Sequence, residues 1–294
     1  MHDLETLTIR TALGIRFWDS VLARPVSDGL RVTAQRLTGT APRQRTGRAR
    51  TAVQTPSGNY AFFGLHPDEL AGTGPLPEQR AVVDVEDPLG RFLPASFEMV
   101  IPVDQLFRGR GDWLPRPLML PELPAGNDPG VFLWSAPTRS VSPGLTALYA
   151  NLAVGDADQP TPAAYALVRL LNGGSMVHAL GMTDRNGKLT LPMSYPSIPH
   201  ITPQPPLRTH LFNLTVQVFY ESSVQDVLPG SKVPDLARLL GQTQTQIGIE
   251  RNPTTGATTF AAELPLQFGF EEPVVLRTRS TDPARRDPYL RIQA

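Results

Sequence analysis

The residue types that could do chemistry are few and scattered. The five histidines, His2, His66, His178, His200 and His210, include no i, i+4 pair and no H-E-x-x-H pattern, so no helix face offers two imidazoles to a metal. His66-Pro67-Asp68-Glu69 sets three ligand types side by side, but Pro67 makes the segment a turn and its acids suit the start of a short helical turn. Asp184-Arg185-Asn186-Gly187 offers oxygens two residues apart, as a calcium loop does, yet the twelfth position would be Tyr195, which has no carboxylate to close the shell. A turn whose Asp and Asn cap the backbone and whose Gly takes positive φ accounts for the same residues. Glu86-Asp87 and Glu271-Glu272 are adjacent pairs, and neighbours along a strand point to opposite faces, which is wrong for a general acid and base. There is no G-x-S-x-G elbow, no Gly-rich phosphate loop after a strand, and no cysteine for thiol chemistry, disulfides or metal ligation. The sequence predicts a protein that is not an enzyme, with no catalytic, metal or cofactor site.

Charge and composition narrow the partners. The 294 residues carry 27 basic and 27 acidic side chains, a net charge of zero, which argues against nucleic acid, whose binders usually carry a basic excess. All the basic residues but Lys188 and Lys232 are arginine, which reads as a GC-rich coding bias, with planar guanidinium contacts at subunit interfaces as the alternative. Five of them, Arg36, Arg43, Arg45, Arg48 and Arg50, crowd one stretch rich in Thr and Gly. No aromatic side chain interleaves them for base stacking, so they read as a solvated or protein-contacting loop or long hairpin. Asp3, Glu5 and Arg10 interrupt what would have to be an apolar leader, and no run approaches the ~18 apolar residues of a membrane span. The expectation is cytoplasmic synthesis and assembly, with no membrane span.

The elements that must position these residues are strands. Leu7, Ile9, Thr11, Leu13, Ile15 and Phe17 alternate with more polar neighbours, as do Leu30, Val32 and Ala34, then Leu148, Ala150, Leu152 and Val154, then Ala164, Ala166, Val168 and Leu170. Phe212, Leu214, Val216, Val218 and Tyr220 form the cleanest set. Helical spacing occurs once, at Leu236, Leu239 and Leu240 behind Pro234. The 31 prolines and 24 glycines punctuate these runs, and many short strands between turns predict an all-β chain of antiparallel sandwiches.

Two stretches look like weak copies of one another: Thr55-Pro-Ser-Gly58-Asn-Tyr60-Ala-Phe62 and Thr183-Asp-Arg-Asn-Gly187-Lys-Leu-Thr-Leu191. In each, a turn ending in Gly feeds an alternating strand. This predicts two β-sandwich domains, 1–107 and 130–222, joined by a stiff Pro-rich linker at 108–129 and followed by a C-terminal extension, 223–294, with the short helix and late strands. A second Pro-rich stretch, 192–206, should be extended.

Gly29-Leu-Arg-Val32, Ser57-Gly-Asn-Tyr-Ala-Phe-Phe-Gly-Leu65, Val83-Asp-Val-Glu-Asp-Pro-Leu-Gly-Arg-Phe-Leu-Pro94 and Gly181-Met-Thr-Asp-Arg-Asn-Gly-Lys-Leu189 resemble elements of the carboxypeptidase-regulatory or transthyretin-like β-sandwich, an Ig-like antiparallel fold. With Trp134-Ser-Ala-Pro-Thr-Arg139, Pro234-Asp-Leu236 and Val275-Leu-Arg-Thr278, the whole order is similar to a family of uncharacterised proteins encoded with bacterial contractile injection systems, the phage-tail-like particles. The resemblance implies a structural subunit, in the baseplate or a peripheral position, bound to baseplate, tube, sheath or spike proteins and released with an extracellular particle. The transthyretin-fold hydrolases end in Tyr-Arg-Gly-Ser, whereas this chain ends Tyr289-Leu-Arg-Ile-Gln-Ala, so their activity does not carry over. Candidate interface residues are Phe17, Trp18, Arg43, Arg45, Arg48, Arg50, Trp113, Trp134 and Arg139, because aromatic and Arg anchors dominate binding energy; core packing is the alternative for the aromatics. The rival functions are a glycan-binding or cell-surface adhesin module, which would need neighbouring exposed aromatics, and an assembly factor absent from the finished particle.

Overall fold

The computed structural model describes residues 11–39, 43–66, 77–103, 106–107, 130–155, 160–173, 176–197, 210–225, 227–282 and 286–293. The chain is nearly all β, built from several antiparallel sheets around two buried cores, as the alternating pattern predicts. Trp113, the 108–129 linker and the middle of the 192–206 stretch lie outside the described residues.

The first sandwich uses β1 (Leu13–Ile15), β2 (Phe17–Asp19), β3 (Arg24–Pro25), β4 (Arg31–Thr38), β5 (Gln44–Thr51), β6 (Val53–Gln54), β7 (Tyr60–Phe62), β8 (Gln79–Glu86), β9 (Ala95–Ile101) and β10 (Val131–Leu133). A four-stranded sheet, β5-β4-β8-β9, turns Val32, Ala34, Val83, Phe97 and Met99 inward. Two three-stranded sheets, β1-β7-β6 and β10-β2-β3, supply Leu13, Ile15, Phe17, Phe62 and Leu133 to the same core. Each such Leu, Val or Phe stabilises the fold by about 1.5–3 kcal/mol through burial. The expected single N-terminal strand is split at Arg16. Its carbonyl accepts a 2.9 Å bond from Val131 N and its Nε donates to Asn59 Oδ1 at 2.8 Å, so β1 pairs with β7 while β2 pairs in parallel with β10.

The second sandwich begins with β11 (Thr146–Val154), β12 (Thr161–Pro162), β13 (Leu167–Asn172), β14 (Met176–Met182), β15 (Lys188–Met193) and β16 (Leu211–Phe219). A helix, α1 (Leu236–Leu240), follows. The late strands are β17 (Gln244–Thr245), β18 (Ile247–Arg251), β19 (Thr258–Ala261), β20 (Leu264–Gly269), β21 (Val274–Leu276), β22 (Arg279–Ser280) and β23 (Leu290–Ile292). Phe212, Leu214, Val216 and Val218 of β16 all enter the second core, facing Leu148, Ala150 and Leu152 of β11. The late strands complete this sandwich: β20 adds antiparallel to β16, while β21 and β23 add in parallel to β11.

Asp235 caps α1 by accepting from Ala237 N, with Pro234 one residue outside the cap. Its apolar side, Leu236, Leu239 and Leu240, enters the first core. That core also takes in Trp134 and Ala136 beyond the linker, and Leu167, Leu180, Met182 and Phe219 from β13, β14 and β16. Apolar contact is therefore continuous between the two sandwiches.

Candidate docking surface

Most of the residues expected at an interface are spent inside the chain. Phe17 and Trp18 are buried under β10, where Trp18 stacks on Phe132 at 6.5 Å between ring centroids, and Trp134 is buried beside them. These aromatics are core residues and present no anchor to a partner. Arg139 forms a buried ion pair with Asp19 at 2.6 Å, donates to Ser135 Oγ at 3.0 Å and lies over the Phe92 ring at 5.1 Å. Asp19 also accepts from Val21 N at 2.8 Å. Leu93 N donates to Trp134 O and Ala136 N to Arg91 O, so the Trp134–Arg139 segment is stapled to the first sandwich.

The arginine-rich stretch is a hairpin of β4 and β5, and β5 is an edge strand, pairing only with β4 among the described residues. Arg43 pairs with Glu98. Arg45 bonds Asp84 Oδ2 at 2.6 Å, Ser231 Oγ at 2.5 Å and the Pro229 carbonyl, tying the turn before α1 to the first sandwich. Arg50 donates to Gly64 O at 2.9 Å, and Arg48 is exposed. Arginines and the Gly47 kink, at φ 69°, blunt this edge against indiscriminate strand pairing.

Among the described residues the histidines do not converge. His66 Nε2 lies 2.8 Å from Pro77 O and His178 Nε2 lies 2.8 Å from Ser194 O. Among the described residues no three His, Asp or Glu side chains come together as a metal site. The Asp184 carboxylate accepts from Asn186 N and Lys188 N, both at 2.8 Å, which spends it on the turn.

The feature that sequence reasoning missed lies where the β11 sheet divides. β21 runs beside Leu148–Ala150 of β11, whereas β22 runs beside Glu250–Arg251 of β18. The two strands diverge from Thr278, and neither has a second partner strand among the described residues. Thr278 is fixed at the apex: its N donates to Tyr289 O at 3.0 Å, its Oγ1 donates to Gly248 O at 2.9 Å, and Thr278 Oγ1 in turn accepts from Arg291 N at 2.9 Å.

With Thr278 pointing inward, Arg277 and Arg279 on either side are exposed, and Val275 in the middle of β21 is 51% exposed. A depression of about 780 Å³ lies between this segment and β20, with Leu264, Leu266 and Leu276 in its wall and Arg277 and Arg279 beside them. A second, of about 420 Å³, lies between β21 and β22 and adds Arg286. None of these three arginines makes an ion pair among the described residues. Two acids also line the second depression: Asp287, held by buried Arg291 at 2.5 Å, and Asp282, which has an interaction partner of its own. The Arg277-Thr278-Arg279 spacing was visible in the sequence; that neither arginine forms an ion pair among the described residues was not.

No helix among the described residues is long and apolar enough to cross a membrane. No known protein-family model matches the chain, and no curated protein matches it.

Proposed function

We propose that this chain is a non-enzymatic structural subunit of a phage-tail-like contractile injection particle, in the baseplate or a peripheral position, which binds neighbouring subunits through loops and edge strands. The order of sequence motifs from Val85 to Thr278 supplies the particle. The single structural observation that carries a docking role is the divided β11 sheet, in which β21 and β22 each have one partner strand among the described residues, beside exposed Val275, Arg277 and Arg279. Open strand edges are the usual substrate of β-augmentation. The adhesin reading draws less support, because among the described aromatics only Phe63 and Tyr149 are exposed, and they lie on different sandwiches.

The reading is tested by co-expressing a tagged full chain with the tube, sheath, spike and baseplate proteins of its own particle. Retention of one of these through gel filtration is the expected result. Co-purification with none of them would overturn it.

A further inference from the structure

Resting on that reading, we infer that the groove along β21 and β22 receives an acidic, extended polypeptide segment of a neighbouring subunit. Three observations converge on this occupant. The edges of β21 and β22 carry no second strand among the described residues, so backbone groups are open to an incoming strand. The groove combines apolar side chains in its wall, Leu276 and Leu264, with cationic Arg277 and Arg279, which face outward with Val275; Arg286, Asp282 and Asp287 line its β22 end. Those arginines lack ion-pair partners among the described residues, in a chain whose other arginines repeatedly find one, as Arg43, Arg45, Arg91, Arg139 and Arg291 do.

A strand alternating acidic and aliphatic residues matches this division, because successive side chains point to opposite faces. Its carboxylates meet the Arg277 and Arg279 guanidinium forks bidentately on the outward face, while its aliphatic side chains lie on the opposite face, towards Leu276 and Leu264. The other cationic edge, β5, offers no equivalent apolar wall; every residue of β5 from Gly47 to Thr51 is exposed.

The test uses the full chain and a synthetic eight-residue peptide of alternating Glu and Val, labelled for fluorescence anisotropy. Wild type should bind it, and the double variant Arg277→Glu/Arg279→Glu should lose at least about tenfold in affinity. A peptide N-methylated at alternate backbone nitrogens should bind more weakly, since it cannot complete a ladder. Arg48→Glu/Arg50→Glu, on β5, should bind as wild type does. Absence of binding to wild type, equal binding by the Arg277/Arg279 variant, or equal binding of the methylated peptide overturns the inference. So does displacement of the peptide by an equimolar single-stranded oligonucleotide, which would mark a general polyanion site. Circular dichroism of the variants checks that these exposed substitutions leave the fold intact. If particle proteins still co-purify with the Arg277/Arg279 variant, this groove assignment fails while the subunit reading stands.

Discussion

Gly187 carries the tightest local constraint in the second sandwich. It sits at φ 74°, and a Cβ there would lie 2.3 Å from Leu152 O, so both backbone conformation and space exclude a side chain. Gly187→Ala should cost about 2–5 kcal/mol, summing strain and overpacking, read by urea unfolding. A loss below about 1 kcal/mol would contradict the turn geometry. Gly58, at φ 77°, holds the matching place in the first sandwich. Gly58 N donates to Thr55 O and Thr55 N to Asn59 O; Gly187 N donates to Asp184 O and Asp184 N to Lys188 O. The repeat was legible from the Gly positions because glycine takes a left-handed turn without the steric cost of a Cβ.

Asp235 gives a pH-dependent prediction. Burial pushes its carboxyl above the ordinary value of 3.8, against the opposing bond from Ala237 N. A raised folded value means that the stabilising contribution is complete below 3.8 and is lost as pH rises through the folded value. Asn also caps helices well, so Asp235→Asn keeps the cap while removing the desolvated charge. The variant should be more stable than wild type at pH 7, with an advantage that shrinks on acidification towards 3.8. An equal difference at both pH values would exclude this origin.

At the scale of elements, α1 packs its leucines into the first core, which it shares with residues of β13, β14 and β16. It has only five residues, too short to stand alone, so its stability comes from the buried Leu side chains and the Asp235 cap. Leu239→Ala should cost about 2–5 kcal/mol, measured as a shift in the urea midpoint. A change within about 0.5 kcal/mol, as at a surface position, would show that α1 does not pack as described.

The helix was legible in the i, i+3, i+4 leucines, and β16 in its strict alternation. The split of the N-terminal strand was not, because Leu13, Ile15 and Phe17 keep the same inward phase through Arg16. Only the change of partner from β7 to β10 separates the strands, and partners across a long separation leave no trace in local periodicity. The same limit hid the ion pair of Asp19 with Arg139, 120 residues apart, and led Phe17, Trp18 and Trp134 to be read as anchors. Large aromatics serve cores and interfaces alike, and composition does not distinguish the two uses.

At the scale of the whole molecule, zero net charge conceals a local asymmetry. Arg43, Arg45 and Arg139 find carboxylates within the chain, whereas Arg277, Arg279 and Arg286 find none among the described residues. The neutral total suits packing among other proteins without long-range repulsion, and on the proposed reading the arginines of the groove would give that packing a direction. Quantitative mass spectrometry of purified particles tests the subunit assignment most directly. The account predicts this chain at a fixed copy number relative to the baseplate proteins, unchanged on repeated purification. Its absence from intact particles, while present in the producing cells, would contradict the account.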